Sequence, residues 1–295
     1  MELVDDARAE QLYGVLPAGV QVSGGSAANT IAGVASFGSR AAYVGRVRDD
    51  ALGALFASDI RAAGVSFENA PATTGAGTGR CMIVVSPDAE RTMSTYLGAS
   101  SAMGPEHVDP QLVASAKLTY LEGYLWDRPE AKEAYRLASR LAHDAGRRVA
   151  LSLSDSFCVD RHRAEWLDLI AAHVDVVFAN ADEVRSLYET DDLDLAIASL
   201  REHCDIAAIT VGAAGSIVAH AGTTERVAAE PVDVVVDTTG AGDLYAAGFL
   251  HGLATDRDLV TCARLGGIAA AEVIAHTGAR PLVSLAGLAA EAGLA

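Results

Sequence analysis

The sequence predicts a layered α/β fold with a mostly parallel central sheet and a small β-rich insert. Three observations predict it. From about residue 105 onward, short Val/Ile-rich runs alternate with helical stretches, the pattern of βαβ units. Between Val65 and Gly98 this alternation lapses into β-rich runs separated by turn residues, with no helix between them. Half of the chain is hydrophobic, yet aromatics are only 5% while there are 28 glycines, and small residues let layers approach closely.

Taken in order, residues 5–14 read as a short amphipathic helix. Gly24-Gly25-Ser26 breaks the chain, and a helix resumes over Asn29–Phe37. Ala41–Val47 reads as a strand and Asp50–Ala63 as a helix stopped by Gly64. The insert, within residues 65–99, carries strands at Cys81–Ser86 and Thr92–Leu97. Beyond it, strands are expected at Leu118–Glu122, Val149–Leu153, Val174–Ala179, Ile206–Val211 and Val232–Val236. Helices are expected at Pro129–Ala145, Ala164–Ala172, Glu183–Glu189, Asp194–His203, Ala241–Ala254 and Arg257–His276. No repeat or linker divides residues 1–295, so the insert sits on a single body. Ligands of such sheets lie beyond the carboxyl ends of the strands, which selects the loops 180–183, 210–215 and 237–243.

The formal net charge of −17 repels nucleic-acid phosphates and anionic lipid surfaces, so neither is an expected partner. An anionic small molecule must find local compensation in backbone N–H groups, a metal ion or single basic residues. Cys81, Cys158, Cys204 and Cys262 are far apart and read as reduced thiols of a cytoplasmic protein. Met1–Arg8 already carries acids, unlike a signal peptide, and no stretch is long and apolar enough for a membrane helix.

The most informative motif is Asp237-Thr238-Thr239-Gly240-Ala241-Gly242-Asp243, between an expected strand and an expected helix. Its glycines allow close backbone approach. The N–H groups of Gly240, Ala241 and Gly242 would face outward at the positive end of the helix dipole, an anion site. Asp243, in the first helical turn, is placed to accept a proton from an attacking hydroxyl. Spacing alone equally fits a capped turn. Gly24, Gly25 and Asn29 form a second motif, able to contact a polyol or to be a plain loop and cap. Asn180-Ala181-Asp182-Glu183 is a third: Asn180 and Glu183 fit either a magnesium ion held through water or a capping box. Thr210, Gly212 and Gly215 form a fourth, a glycine-rich turn without the Lys-Ser/Thr ending of a P-loop. Arg91, in the insert, could reach a phosphate across a closed cleft or be an exposed strand residue. No G-x-G-x-x-G follows a first strand, which weakens a dinucleotide-dependent alternative.

Together these motifs resemble, in order and over nearly the whole chain, the ribokinase-like (PfkB) family of carbohydrate and nucleoside kinases. The resemblance implies a three-layer sandwich whose β insert, part of residues 65–99, is a lid. It also implies ATP and Mg²⁺, with a monovalent cation such as K⁺ often bound near the C-terminal signature. Asp243 would be the base and Gly240, Ala241 and Gly242 the anion hole. Gly24, Gly25, Asn29 and Arg91 would bind the acceptor. Asn180, Thr210, Gly212 and Gly215 would line the nucleotide site, with Ala269–Ile274 near the adenine, and Glu183 with Asn180 would hold the metal through water. Thr92–Ala99, Leu121–Tyr124 and Ser152–Asp155 are similar to adenosine-kinase-type members, so adenosine leads as acceptor. Ribose, fructose or a ketodeoxy sugar acid, and a non-catalytic binding protein on the same scaffold, are the alternatives. A lid can pair with another lid, so a homodimer is expected to be feasible. One departure stands out. The family's usual first strand, with an aspartate that grips the acceptor, has no counterpart here; residues 2–14 look like the helix after it. Asp5 and Asp6 are not replacements. The sheet is therefore expected to lack a strand, through truncation, a misplaced start or supply from elsewhere.

Overall fold

The structure, a computed structural model, describes residues 2–17, 19–86 and 91–294. It opens with β1 (Glu2–Leu3) and α1 (Asp6–Val15), the latter capped by the Asp5 carboxylate accepting from the Arg8 N–H. Then come α2 (Ser26–Ser36), β2 (Ala41–Ala42), α3 (Ala51–Ala62), β3 (Val65–Ser66), β4 (Arg80–Val85) and β5 (Arg91–Tyr96). The alternating body follows: α4 (Pro110–Ser115), β6 (Leu118–Glu122), α5 (Pro129–Asp144), β7 (Arg148–Ser152), α6 (Ser156–His173), β8 (Val176–Asn180), α7 (Ala181–Tyr188), α8 (Leu193–Leu200) and β9 (Ile206–Thr210). The chain ends with β10 (Ser216–His220), β11 (Thr223–Val227), α9 (Ala241–Ala254), α10 (Leu259–Ile274) and α11 (Leu285–Glu291).

The main sheet has the order β11-β10-β9-β8-β7-β6. Strands β6 to β9 are parallel, and β10 and β11 extend the sheet as an antiparallel hairpin. The central strands are hydrophobic on both faces, as a covered parallel sheet requires. Their period of two deals residues to two cores. Val149, Leu151, Val177, Ala179, Ala207 and Ile209 pack with Trp126 and Trp166 on one side. Ala150, Val176, Phe178, Ile206 and Ala208 pack with Leu244, Phe249 and Leu265 on the other. A separate sheet, β1-β5-β4, forms the insert. Helix α1 leans on it, with Arg80 bonded to Glu10 at 2.6 Å. β3 is outside this sheet and pairs with β2.

Three expectations need correction. Residues 232–236 form no strand. They run extended past the end of α10, with Val236 N–H bonded to the Ile274 carbonyl at 2.8 Å. Val234 is 65% exposed, so β-branched content there reflects backbone stiffness rather than ladder pairing. The edge hairpin β10–β11 follows the glycine-rich turn at 210–215, in a segment for which no element was expected. Finally, of Ala41–Val47 only Ala41 and Ala42 enter a ladder.

β6 is an edge of its sheet among the described residues, although α2 and α5 pack against it. No ladder joins it to β2 among those residues. A cleft of about 2370 Å³ reaches between them, past Ala41, Tyr43, Thr119 and Leu121, from the loops described below. This unpaired edge is in keeping with a sheet that lacks a strand. Among the described residues no helix is long and apolar enough to cross a membrane.

Helix α9 is nearly all buried because it is wedged between the sheet and α10. A Cβ on Gly248 would stand 2.3 Å from the Leu265 carbonyl oxygen, so the two helices touch at bare backbone. Gly248→Ala is expected to destabilise the fold by about 2 kcal/mol through overpacking. Urea unfolding should show a lower midpoint with an unchanged slope; an unchanged midpoint would refute the close contact.

Candidate active site

The C-terminal signature is folded by its own side chains. Asp237, 1% exposed, accepts from the Thr239 N–H at 2.9 Å, the Thr239 hydroxyl at 2.6 Å and the Gly278 N–H at 2.9 Å. Gly240 has φ 83° and is the N-cap of α9, without a side-chain cap. A Cβ there would lie 2.7 Å from that of Ala279, so both conformation and space demand glycine. Asp237 and Thr239 thus order the turn and do not cap α9.

The expected anion cradle is narrower than three residues. The Ala241 N–H is turned back to the Thr238 carbonyl at 3.3 Å. Those of Gly240 and Gly242 have no hydrogen-bond partner among the described residues, and a Cβ on Gly242 would meet nothing within 4 Å. The two N–H groups thus have room for an anion at the N-terminus of a fourteen-residue helix.

Asp243, in the first turn of α9, is held from the other end of the sequence. Ser26 Oγ donates to its Oδ1 and Asn29 Nδ2 to its Oδ2, each at 2.8 Å. Helix α2 starts three residues before the expected Asn29, at Ser26, behind Gly25 with φ 103°. That earlier start brings Ser26 to the carboxylate. Asn29 Oδ1 is buried with no partner among the described residues, an acceptor poised for a donor. Gly24 and Gly25 line the same cleft.

Glu122 was not singled out from sequence. It ends β6, and its Oε2 accepts the Ala27 N–H at 2.7 Å. Loss of water in the cleft wall pushes its pKa up to about 7; the nearby Asp243 charge adds to the rise and the Ala27 bond opposes it. The rule that ligands sit at the carboxyl ends of parallel strands could have found it. Arg280 was also missed. It follows α10 and donates to Ser23; no periodicity or motif marks it.

The other expected residues divide. Asn180 and Glu183 form a capping box: Asn180 Oδ1 accepts the Glu183 N–H at 2.8 Å, and both Glu183 oxygens accept from Asn180, at 3.0 and 2.6 Å. Burial pushes the Glu183 carboxyl up to about 7, with Asp155 and Asp182 adding to the rise against the Asn180 bond. Among the described residues no group of three His, Cys, Asp or Glu could hold a metal directly. Thr210 lines the cleft beside Asn180. Gly212 and Gly215 do not line it. A Cβ on Gly215 would stand 2.1 Å from the Val227 carbonyl oxygen, so this glycine serves the packing against β11. Arg91 opens β5 opposite Val85, and its side chain lies outside the described residues.

A covered parallel sheet, with a helix N-terminus and a gripped carboxylate meeting in one cleft, defines an α/β protein of the kind that handles small anionic ligands. The pattern described as pfkB family carbohydrate kinase matches residues 4–285, and the chain belongs to that family. Its fold is ribokinase-like. It is similar to the adenosine kinase of Sinorhizobium meliloti, whose crystal structure is 52% identical with a TM-score of 0.95, over 99% of this chain and 89% of that one. A crystal structure from Rhizobium etli CFN 42, described as a probable sugar kinase, is 49% identical with a TM-score of 0.97, over 100% and 90%. The ATP-dependent ribose-1-phosphate kinase of Halopiger xanaduensis is 31% identical, over 88% of this chain and 83% of its own.

The Glu122 environment gives a pH test. Its pKa rises from 4.5 to about 7 on folding, so between those values the folded chain holds a proton that the unfolded chain lacks. Stability from this group must fall as pH rises through that window. Glu122→Gln removes the effect. The melting temperature of the variant minus that of the wild type should therefore increase from pH 5 to pH 8; a flat or decreasing difference would exclude a buried, proton-binding Glu122.

Proposed function

We propose that the protein is an ATP-dependent phosphotransferase that phosphorylates a hydroxyl of a nucleoside, adenosine first, with Asp243 as general base. One observation carries this reading: Ser26 and Asn29, 217 and 214 positions from Asp243 in the chain, both donate to its carboxylate. Two donors orient the Asp243 carboxylate at the positive end of α9. The acceptor hydroxyl would enter beside Asn29, whose free Oδ1 is a ready partner for a second substrate donor. As the hydroxyl oxygen bonds to the γ-phosphorus of ATP, its proton passes to Asp243 and ADP leaves. The loose transition state needs alignment and charge neutralisation more than a strong base, and the N–H groups of Gly240 and Gly242 supply part of that neutralisation.

Bound with ATP, Mg²⁺ would neutralise phosphate charge. Glu183 is committed to Asn180, which fits contact with the metal through water and not direct ligation. Asp237 is likewise committed to Thr239 and Gly278; its part is to order the loop near which a monovalent cation such as K⁺ would bind.

The preference for a nucleoside has two supports. The Sinorhizobium meliloti relative is an adenosine kinase. Phe157, 61% exposed at the start of α6, lines the cleft and offers a face on which a base can stack. A sugar or sugar phosphate is the second reading, favoured by the Halopiger xanaduensis and Rhizobium etli relatives.

Asp243→Asn is expected to lower turnover about 10³-fold with ATP affinity nearly unchanged. Product formation would be assayed with MgATP and a panel of adenosine, ribose and fructose, and ATP binding by calorimetry. Turnover like that of the wild type would remove Asp243 as base. Phe157→Ala should raise the adenosine KM about tenfold and leave any ribose KM unmoved; equal effects on both would favour the sugar reading.

A further inference from the structure

Two charged side chains meet at Ser23, the residue in front of Gly24 and Gly25. Ser23 is 2% exposed. Its N–H donates to Asp59 Oδ2, on α3, at 2.7 Å. Its carbonyl accepts from Arg280 Nε at 3.1 Å and from Arg280 Nη2, and Nη2 also contacts the Ser23 hydroxyl at 3.0 Å. Both backbone polar groups of Ser23 are thereby fixed from elements 36 and 257 positions away.

The loop that follows has little stiffness of its own. Gly24 and Gly25 lack side chains, and Gly25 caps α2 without a side-chain bond. Besides the Ala27 bond to Glu122 and the bonds of Ser26 and Asn29 to Asp243, the path into α2 is set by where Ser23 is held. Ser26 and Asn29, which grip Asp243, come directly after. Arg280 is itself tied to the signature, since Gly278 donates to Asp237 and Ala279 packs on Gly240. One guanidinium thus joins the C-terminal signature to the acceptor loop.

Arg280 is an expensive way to stabilise a fold. Its Nη1 is buried with no partner among the described residues. Burial pulls the group below its ordinary pKa, against the charges of Asp59 and Asp243. A buried cation so incompletely paired adds little stability. Its planar fork, by contrast, fixes a carbonyl in direction as well as distance.

We propose that Arg280 is a positioning residue for the acceptor: together with Asp59 it clamps Ser23 and so sets how Ser26 and Asn29 present a hydroxyl to Asp243. The proposal rests on the kinase reading above for its kinetic consequence but not for its structural one. The test compares wild type, Arg280→Met, Arg280→Lys and Asp59→Asn. With adenosine and MgATP, Arg280→Met should raise the adenosine KM about tenfold or more and leave the ATP KM within about twofold; with the buried Ser23 carbonyl left without its donor, the melting temperature should fall. Arg280→Lys, which keeps charge but loses the fork, should fall between. Hydrogen exchange without substrates should accelerate at residues 23–29 in Arg280→Met and in Asp59→Asn, with β6 to β9 unaffected. That measurement needs no turnover, so it decides on the clamp even if adenosine is not the acceptor. Unchanged exchange at 23–29 would overturn the proposal, as would equal rises in both KM values. If Arg280→Met does not fold, Asp59→Asn applies the same criteria from the other side of Ser23.

Discussion

Asp243 is where the two ends of the chain are obliged to meet. Its oxygens take hydrogen bonds from Ser26 and Asn29, while its backbone belongs to a helix buried against the sheet and α10. Neither α2 nor α9 can shift without disturbing this pair of bonds. Charge-assisted hydrogen bonds to a carboxylate are about twice as strong as neutral ones. The loop before α2 leads into a helix that packs on α9, and the glycines of α9 let α10 come close.

Around this carboxylate the cleft tolerates like charge in a controlled way. Glu122 lies near enough to Asp243 for its pKa to be raised by it. Two carboxylates in one poorly hydrated space cannot both ionise cheaply. Their hydrogen bonds divide the roles. Asp243 receives two side-chain donors in the first turn of α9. Glu122 receives one backbone N–H and less water, and keeps its proton to near neutrality. Under the proposed kinase reading, Asp243 would be the one that accepts the proton.

Much of this was legible from sequence, for physical reasons that differ by element. β6 to β9 and their helices declare themselves because a covered parallel strand needs unbroken Val, Ile and Leu, and its neighbours need a helical period. The signature loop was legible because the turn requires glycine at Gly240 and an ordering carboxylate at Asp237. Val234, Val235 and Val236 misled because a β-branched run fits any extended segment, including one that pairs with nothing but the end of α10. Gly215 misled because a glycine needed by the Val227 backbone looks the same in sequence as one needed by a ligand. Glu122 and Arg280 were missed because their roles come from tertiary neighbours, Ala27 and Ser23, that no local pattern encodes.

A net charge of −17 poses the remaining problem, how so acidic a chain would hold ATP and a reacting phosphoryl group. In the proposed reading the answer lies in placed backbone dipoles. The N–H groups of Gly240 and Gly242 present partial positive charge at a helix end, and that charge cannot be screened by a mobile side chain. Arg280 is spent on Ser23, where it orders the loop facing Asp243. Fixed dipoles lose nothing to reorganisation when charge develops, unlike flexible lysines in water. The acidic surface acts at longer range and discourages phosphate backbones, whereas under the proposed reading a small nucleotide would meet the dipoles directly.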